Sequence, residues 1–240
     1  MRGPRTRVDL LLSHRNRFIF LKTRKTAGTS VEMALQPYCA PELEGAVEEA
    51  VSATVSEQGI IGTRKIPRKK LTGLNAEWFN HMSASEVAEK VGRETFFAYP
   101  RITTVRNPFD QLVSRCHWQM HQGRGSYSNF DELKAYFRDL ILNRNWPDDR
   151  EIVFLDGEFI IDHVVRFEHL RDDLGSLSDI LNLDTRYMHL PHTKDTGAAR
   201  RGQAVADYFD QDTIEEVRRR MAWVFERFNY PDTPDTRPRQ

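Results

Sequence analysis

Three groups of residues in this sequence are of types that could handle an anion. The first is Arg24-Lys25-Thr26-Ala27-Gly28-Thr29-Ser30. Lys25 supplies a point charge, and Gly28 lets the backbone approach an anion closely. Thr29 and Ser30 stand where a helix would begin, and there free N–H groups and the helix dipole favour negative charge. The second is His81, an imidazole that can take a proton near neutral pH. The third is Arg106 with Ser114, a guanidinium and a hydroxyl that can both donate to a phosphate. A basic stretch at residues 190–203 adds His192, Lys194, Arg200 and Arg201. Residue type alone leaves plainer readings open: a capped surface helix with solvated lysines, a surface histidine, an exposed arginine and a mobile loop.

The elements that must position these residues are legible around them. Residues 18–21 form an apolar run bounded by charge, which reads as a strand. A small basic loop follows at 22–29, then a helix from about residue 30 to the interruption at Pro37. Strand, loop and helix in that order make a phosphate cradle. Ser83 with Glu86 is a capping box, predicting a helix from about 84 to 91 that stops at Gly92, with His81 just before it. Residues 102–105 are a β-branched run that reads as a buried strand. Asn107 is a good N-cap and Pro108 a good first helical residue. Phe109, Leu112, Val113 and Cys116 give the next helix one apolar face. Arg106 therefore stands at the carboxyl end of a strand, where open α/β sheets place ligands, and Ser114 lies two turns along the helix.

Further along, Phe130, Leu133, Phe137, Leu140 and Ile141 predict an amphipathic helix, and Asp156-Gly157 a hairpin between 152–155 and 159–165. Leu174, Leu177 and Leu181 mark another helix, and a last helix is expected from about 213 to 228. The acidic segment 42–57 reads as helical. Arg64, Lys65, Arg68, Lys69 and Lys70 read either as a solvated loop or as a lip attracting an anionic acceptor. Residues after Tyr230 are polar and proline-rich and read as a frayed tail.

A nucleotide triphosphatase loop reads G-x-x-x-x-G-K-[ST]; here Lys25 precedes Gly28, and no G-K-[ST] occurs. RKTAGTS instead resembles the 5′-phosphosulfate loop of sulfotransferases that use 3′-phosphoadenosine 5′-phosphosulfate (PAPS). VRNPFDQLVSRCHW resembles the 3′-phosphate motif of that family in both its Asn-Pro and its Arg-to-Ser spacing. VVRFEHLRDDL resembles the strand-to-helix segment that follows. The resemblance runs from about residue 18 to 230 and is nearest to the carbohydrate sulfotransferases that include heparan sulfate 2-O-sulfotransferase. Those carry H-x-H-x-S between the two motifs; here the segment is Phe79-Asn80-His81-Met82-Ser83, with Phe79 in place of the first histidine.

The resemblance implies a three-layer α/β fold, a parallel β-sheet flanked by helices and related to P-loop nucleotide kinases. It implies one domain over residues 1–230 with a flexible tail at 231–240. It implies transfer of a sulfuryl group from PAPS to a hydroxyl or amine, with Lys25 and His81 catalytic. Arg24, Lys25, Thr26, Ala27, Gly28, Thr29 and Ser30 would hold the phosphosulfate. Arg106 and Ser114, with Lys194, Arg200 and Arg201, would hold the 3′-phosphate. No metal is expected. Two alternatives stay open: a nucleotide or small-molecule kinase on the same fold, and a non-catalytic protein that binds the desulfated nucleotide PAP or serves as an interaction protein. The acceptor, carbohydrate or another hydroxyl compound, is not specified.

The whole chain sets the outer limits. Its 240 residues suffice for an α/β domain with a substantial core. Thirty-five basic residues balance thirty-five acidic ones, so a general nucleic-acid-coating role gets no support and any anion site is local. Two cysteines, Cys39 and Cys116, make no disulfide framework. The apolar run at 8–12 contains Asp9 and is too short for a signal peptide or a membrane span. Golgi members of the family carry an N-terminal anchor, so a cytoplasmic relative is expected here.

Overall fold

The computed structural model describes residues 10–45, 47–66, 72–78, 81–191, 198–200 and 202–237. The strands among them are β1 (Leu10–Ser13), β2 (Phe18–Leu21), β3 (Thr54–Val55), β4 (Gly59–Ile61), β5 (Arg101–Val105), β6 (Phe154–Leu155), β7 (Glu158–Phe159) and β8 (His163–Arg166). The helices are α1 (Gly28–Leu35), α2 (Leu74–Glu77), α3 (Ala84–Val91), α4 (Arg93–Ala98), α5 (Pro108–His121), α6 (Phe130–Leu142), α7 (Arg150–Val153), α8 (Leu170–Ile180), α9 (Gln211–Arg220) and α10 (Ala222–Phe228). No described helix is long and apolar enough to cross a membrane.

Contacts divide the chain into two units: residues 1–105 with 149–193, and residues 106–148 with 194–240. The first holds a six-stranded sheet in the order β3-β4-β1-β2-β5-β8. β2, β5 and β8 are parallel, while β1 runs antiparallel to β2 and β4, and β3 antiparallel to β4. The expectation of a parallel sheet is therefore corrected to a mixed one. The reason is the short turn at residues 14–17, which joins β1 to β2 as a hairpin, whereas a parallel pair needs a crossover of a dozen residues or more. Leu11, Phe18, Phe20, Ile61, Ile102 and Val165 meet Val31 and Leu35 of α1 and Leu174 and Leu177 of α8 in one apolar core. Leu10, Leu12, Ile19 and Leu21 alternate with these strand residues and are buried too, so both sheet faces are covered.

Several local expectations hold. Ser83 and Glu86 form the reciprocal capping box of α3. Asn107 accepts from the N–H groups of Phe109 and Asp110, with Pro108 opening α5. Asp156 and Gly157, both at positive φ, turn the β6–β7 hairpin, but its arms are shorter than expected, since Ile152 and Val153 belong to α7 and residues 163–166 pair with β5 instead. Two others do not hold. The described part of 42–57 contains no helix, because Thr54–Val55 pairs with β4 and Val51 bridges to Arg64. Arg64 also takes the carbonyls of Glu48 and Glu49, consuming backbone acceptors that a helix would need. The single last helix is two: Met221, at φ −100° and ψ 17°, ends α9 and precedes α10.

The second unit is helical and packs around aromatic rings. Phe209 meets Phe137 at 4.8 Å and Phe109 at 5.1 Å, both edge-on, an attractive arrangement for aromatic pairs. Val113, Cys116, Leu133, Leu140, Val217 and Met221 are buried. Within residues 231–237, Asp235 O accepts from Ala206 N at 2.9 Å.

Candidate functional site

Residues 22–27 join β2 to α1 in a backbone that is strained at two places. Lys25 (φ 64°) and Ala27 (φ 62°, ψ 15°) are both left-handed, at a cost of about 1–2 kcal/mol for each non-glycine residue. Such strain persists only where the surroundings over-determine it, and it gathers at ligand sites. Two sets of bonds hold it here. Thr26 Oγ1 lies 2.6 Å from Thr104 Oγ1 and 2.9 Å from Thr23 Oγ1, and Thr23 also donates to Thr104 O. On the other side Asp149 accepts from Arg24 N at 2.9 Å and from the Arg24 guanidinium, which also donates to Glu151 at 3.0 Å. Burial would lower the Arg24 pKa, but Asp149 and Glu151 together raise it, so its charge is permanent. Asp149 is itself left-handed at φ 62°. The side chains of Arg24 and Thr26, expected to touch a ligand, are thus engaged in building the loop.

α1 has no side-chain cap and no acidic residue in its first turn. The positive end of its dipole is not neutralised from within the helix, which suits an anion. Thr29 and Ser30 lie in that turn and Lys25 just before it. Gly28 also has a packing role inside the protein. A Cβ there would lie 2.6 Å from Lys22 Cγ, so the glycine makes room for the Lys22 stem. Lys22 Nζ then reaches Glu32 at 2.7 Å, and Arg64 meets the other Glu32 oxygen at 3.2 Å. The lip reading fails for Arg64, which is buried and also donates to Gln36 at 2.6 Å; Lys65 pairs with Glu49. Arg68, Lys69 and Lys70 lie outside the described residues.

His81 is half-buried and left-handed (φ 64°). Its Nδ1 lies 3.1 Å from Lys22 O. A carbonyl only accepts, so Nδ1 carries the proton and the basic lone pair is on Nε2. The histidine is thereby fastened to the first residue of the loop.

In the second unit, Arg106 donates through Nε to Asp110 Oδ2 at 2.6 Å, and Arg200 Nη1 donates to Asp110 Oδ1 at 2.6 Å. Arg106 (6% exposed), Asp110 (5%), Ser114 (3%) and Arg200 (3%) are all buried. Two guanidiniums against one carboxylate leave this trio one positive charge in excess, and Arg200 Nε has no hydrogen-bond partner among the described residues. Lys194 and Arg201 lie outside the described residues, as do Phe79 and His192. His117, one turn beyond Ser114, sits 2.8 Å from Tyr208 Oη. Burial, with a lesser push from Arg200, lowers its pKa to about 4, so it is neutral at pH 7.

Neither cysteine offers a nucleophile: burial pushes the Cys116 thiol up to about 12 and Cys39 well above its ordinary value. No group of three or more His, Cys, Asp or Glu among the described residues is arranged to hold a metal. Sequence reasoning missed Asp110, Asp149, Lys22 and Glu32. Asp110 had a signal, its i,i+4 spacing from Arg106. Asp149 had none, being 125 residues from Arg24.

No curated protein and no solved structure matches the chain. The family model described as "Sulfotransferase family" matches residues 8–231, which take in the loop, His81 and the arginine motif alike. The chain belongs to the sulfotransferase family.

Proposed function

We propose that the protein moves a sulfuryl group from PAPS to a hydroxyl of an acceptor, with His81 as general base. The observation that carries this is the 3.1 Å bond from His81 Nδ1 to Lys22 O, which ties a base, with its lone pair on Nε2, to the anion-binding loop. The acceptor oxygen attacks sulfur in line, and the bond from sulfur to the 5′-phosphate oxygen breaks. Nε2 takes the acceptor proton. Charge gathering on the leaving phosphate is met by Lys25 and by backbone N–H groups of residues 26–29, since the Ser30 N–H donates to Ala27 O. The 3′-phosphate falls to Arg106 and Ser114, supported by the positive excess around Asp110. The donor's negative charges are met by side-chain cations, so binding needs no metal. Carbohydrates are the first acceptor class to screen, on the resemblance of residues 79–83.

The test has two parts. PAP should bind equally well in EDTA and in magnesium; affinity that vanishes in EDTA would count against the reading. With labelled PAPS and a panel of hydroxyl acceptors, His81→Gln should lower turnover roughly 10²–10⁴-fold while PAP affinity stays within about twofold. Full activity in His81→Gln would move the base elsewhere.

A further inference from the structure

A carboxylate amid an anion site opposes the ligand, so Asp110 requires a reason. Its two oxygens serve different arginines, Oδ2 taking Arg106 and Oδ1 taking Arg200. Arg200 arrives from 90 residues further along the chain, at the end of a three-residue 3₁₀ turn, Ala198–Arg200. Asp110 lies in the first turn of the 14-residue α5, which Asn107 caps and Pro108 opens. A guanidinium has five donors. Asp110 uses one edge of Arg106 and one Nη of Arg200, and the buried Arg200 Nε has no acceptor among the described residues.

We propose that Asp110 is a positioning residue that holds the guanidiniums of Arg106 and Arg200 together in one pre-formed receptor for the 3′-phosphate. The inference rests on the PAPS reading above. The ligand then meets two guanidiniums already oriented, and little side-chain entropy is lost on binding. This role and a mere counter-ion role predict opposite signs. By Coulomb's law alone, removing a negative charge beside a phosphate tightens its binding. If Asp110 acts by orientation, removing that charge weakens binding in spite of the electrostatic gain.

The experiment is calorimetry on the full chain, wild type and Asp110→Asn, with PAP and with adenosine 5′-phosphosulfate, which lacks the 3′-phosphate. Asp110→Asn should weaken PAP roughly 10- to 100-fold and leave adenosine 5′-phosphosulfate within about twofold. In turnover, KM for PAPS should rise while kcat holds. PAP affinity that is unchanged or improved in Asp110→Asn overturns the proposal and leaves the PAPS reading standing. Wild type that fails to bind PAP overturns both. If Asp110→Asn does not fold, Asp110→Glu keeps the charge but cannot keep both 2.6 Å bonds, and it too should lose PAP selectively. Wild-type affinity in Asp110→Glu, or failure of both variants to fold, assigns Asp110 to stability and removes its positioning role.

Discussion

On the proposed reading Arg106 and Ser114 differ in what each would give a phosphate. The guanidinium bond is charge-assisted and the hydroxyl bond is not. Charge-assisted bonds are worth about 1.5–3 kcal/mol, or roughly 10- to 150-fold in affinity. Arg106→Ala should therefore weaken PAP strongly and adenosine 5′-phosphosulfate hardly at all, with Ser114→Ala showing the same selectivity more mildly. Calorimetry with both ligands decides it; equal losses would mean that Arg106 is structural and Arg200 reads the phosphate. On the proposed reading Lys25 meets charge on the leaving 5′-phosphate. Lys25→Ala should lower turnover roughly 10²–10³-fold if it meets leaving-group charge, a change visible in single-turnover kinetics. At this scale residue type picked out the loop as a unit but gave no sign of the bonds that build it, such as those of Arg24 to Asp149 and Thr26 to Thr104.

The strand-loop-helix element shows why its glycine is where it is. Lys22 passes beneath Gly28 to reach the buried Glu32, so one demand for glycine comes from inside the protein. Gly28→Ala should overpack this spot and cost about 1–3 kcal/mol. In a Lys22→Ala background the stem is gone and the same substitution should cost less, leaving a coupling of roughly 0.5–3 kcal/mol. Chemical denaturation of the four proteins measures it. An equal cost in both backgrounds would mean that the glycine answers to something other than Lys22. α5 is the complementary element: Asp110, Ser114 and His117 recur at four- and three-residue spacing and share one polar face. The adjoining apolar face was legible from period alone, through Phe109, Leu112, Val113 and Cys116.

For the whole molecule, what was legible depended on whether its cause was local. Caps, the hairpin turn and helix faces are set within a few residues, and Ser83, Asn107 and Asp156-Gly157 announced them. Sheet direction depends on how distant strands pair, and the short β1–β2 turn was the only local clue to the mixed order. The ion pairs that shape the site join residues far apart, such as Arg24 with Asp149 and Asp110 with Arg200, and nothing at either end announced them. One consequence of such packing reaches the stability of the whole chain. His117 meets Tyr208 and lies near Arg200, and its pKa falls from 6.5 to about 4, chiefly through burial. Between those two values the unfolded chain binds a proton at this residue that the folded protein does not. Stability must therefore decline as pH falls from about 6.5 toward about 4, through this group's contribution. Above about 6.5 the contribution is fully present, and below about 4 it is lost entirely. His117→Gln keeps a hydrogen-bonding side chain without the titration, so its melting temperature should fall less over that interval. Carboxylates elsewhere titrate in both proteins and cancel in the difference. Melting curves recorded from pH 7.5 to 4.5 test this; parallel curves for wild type and variant would show that His117 is not held neutral by the fold.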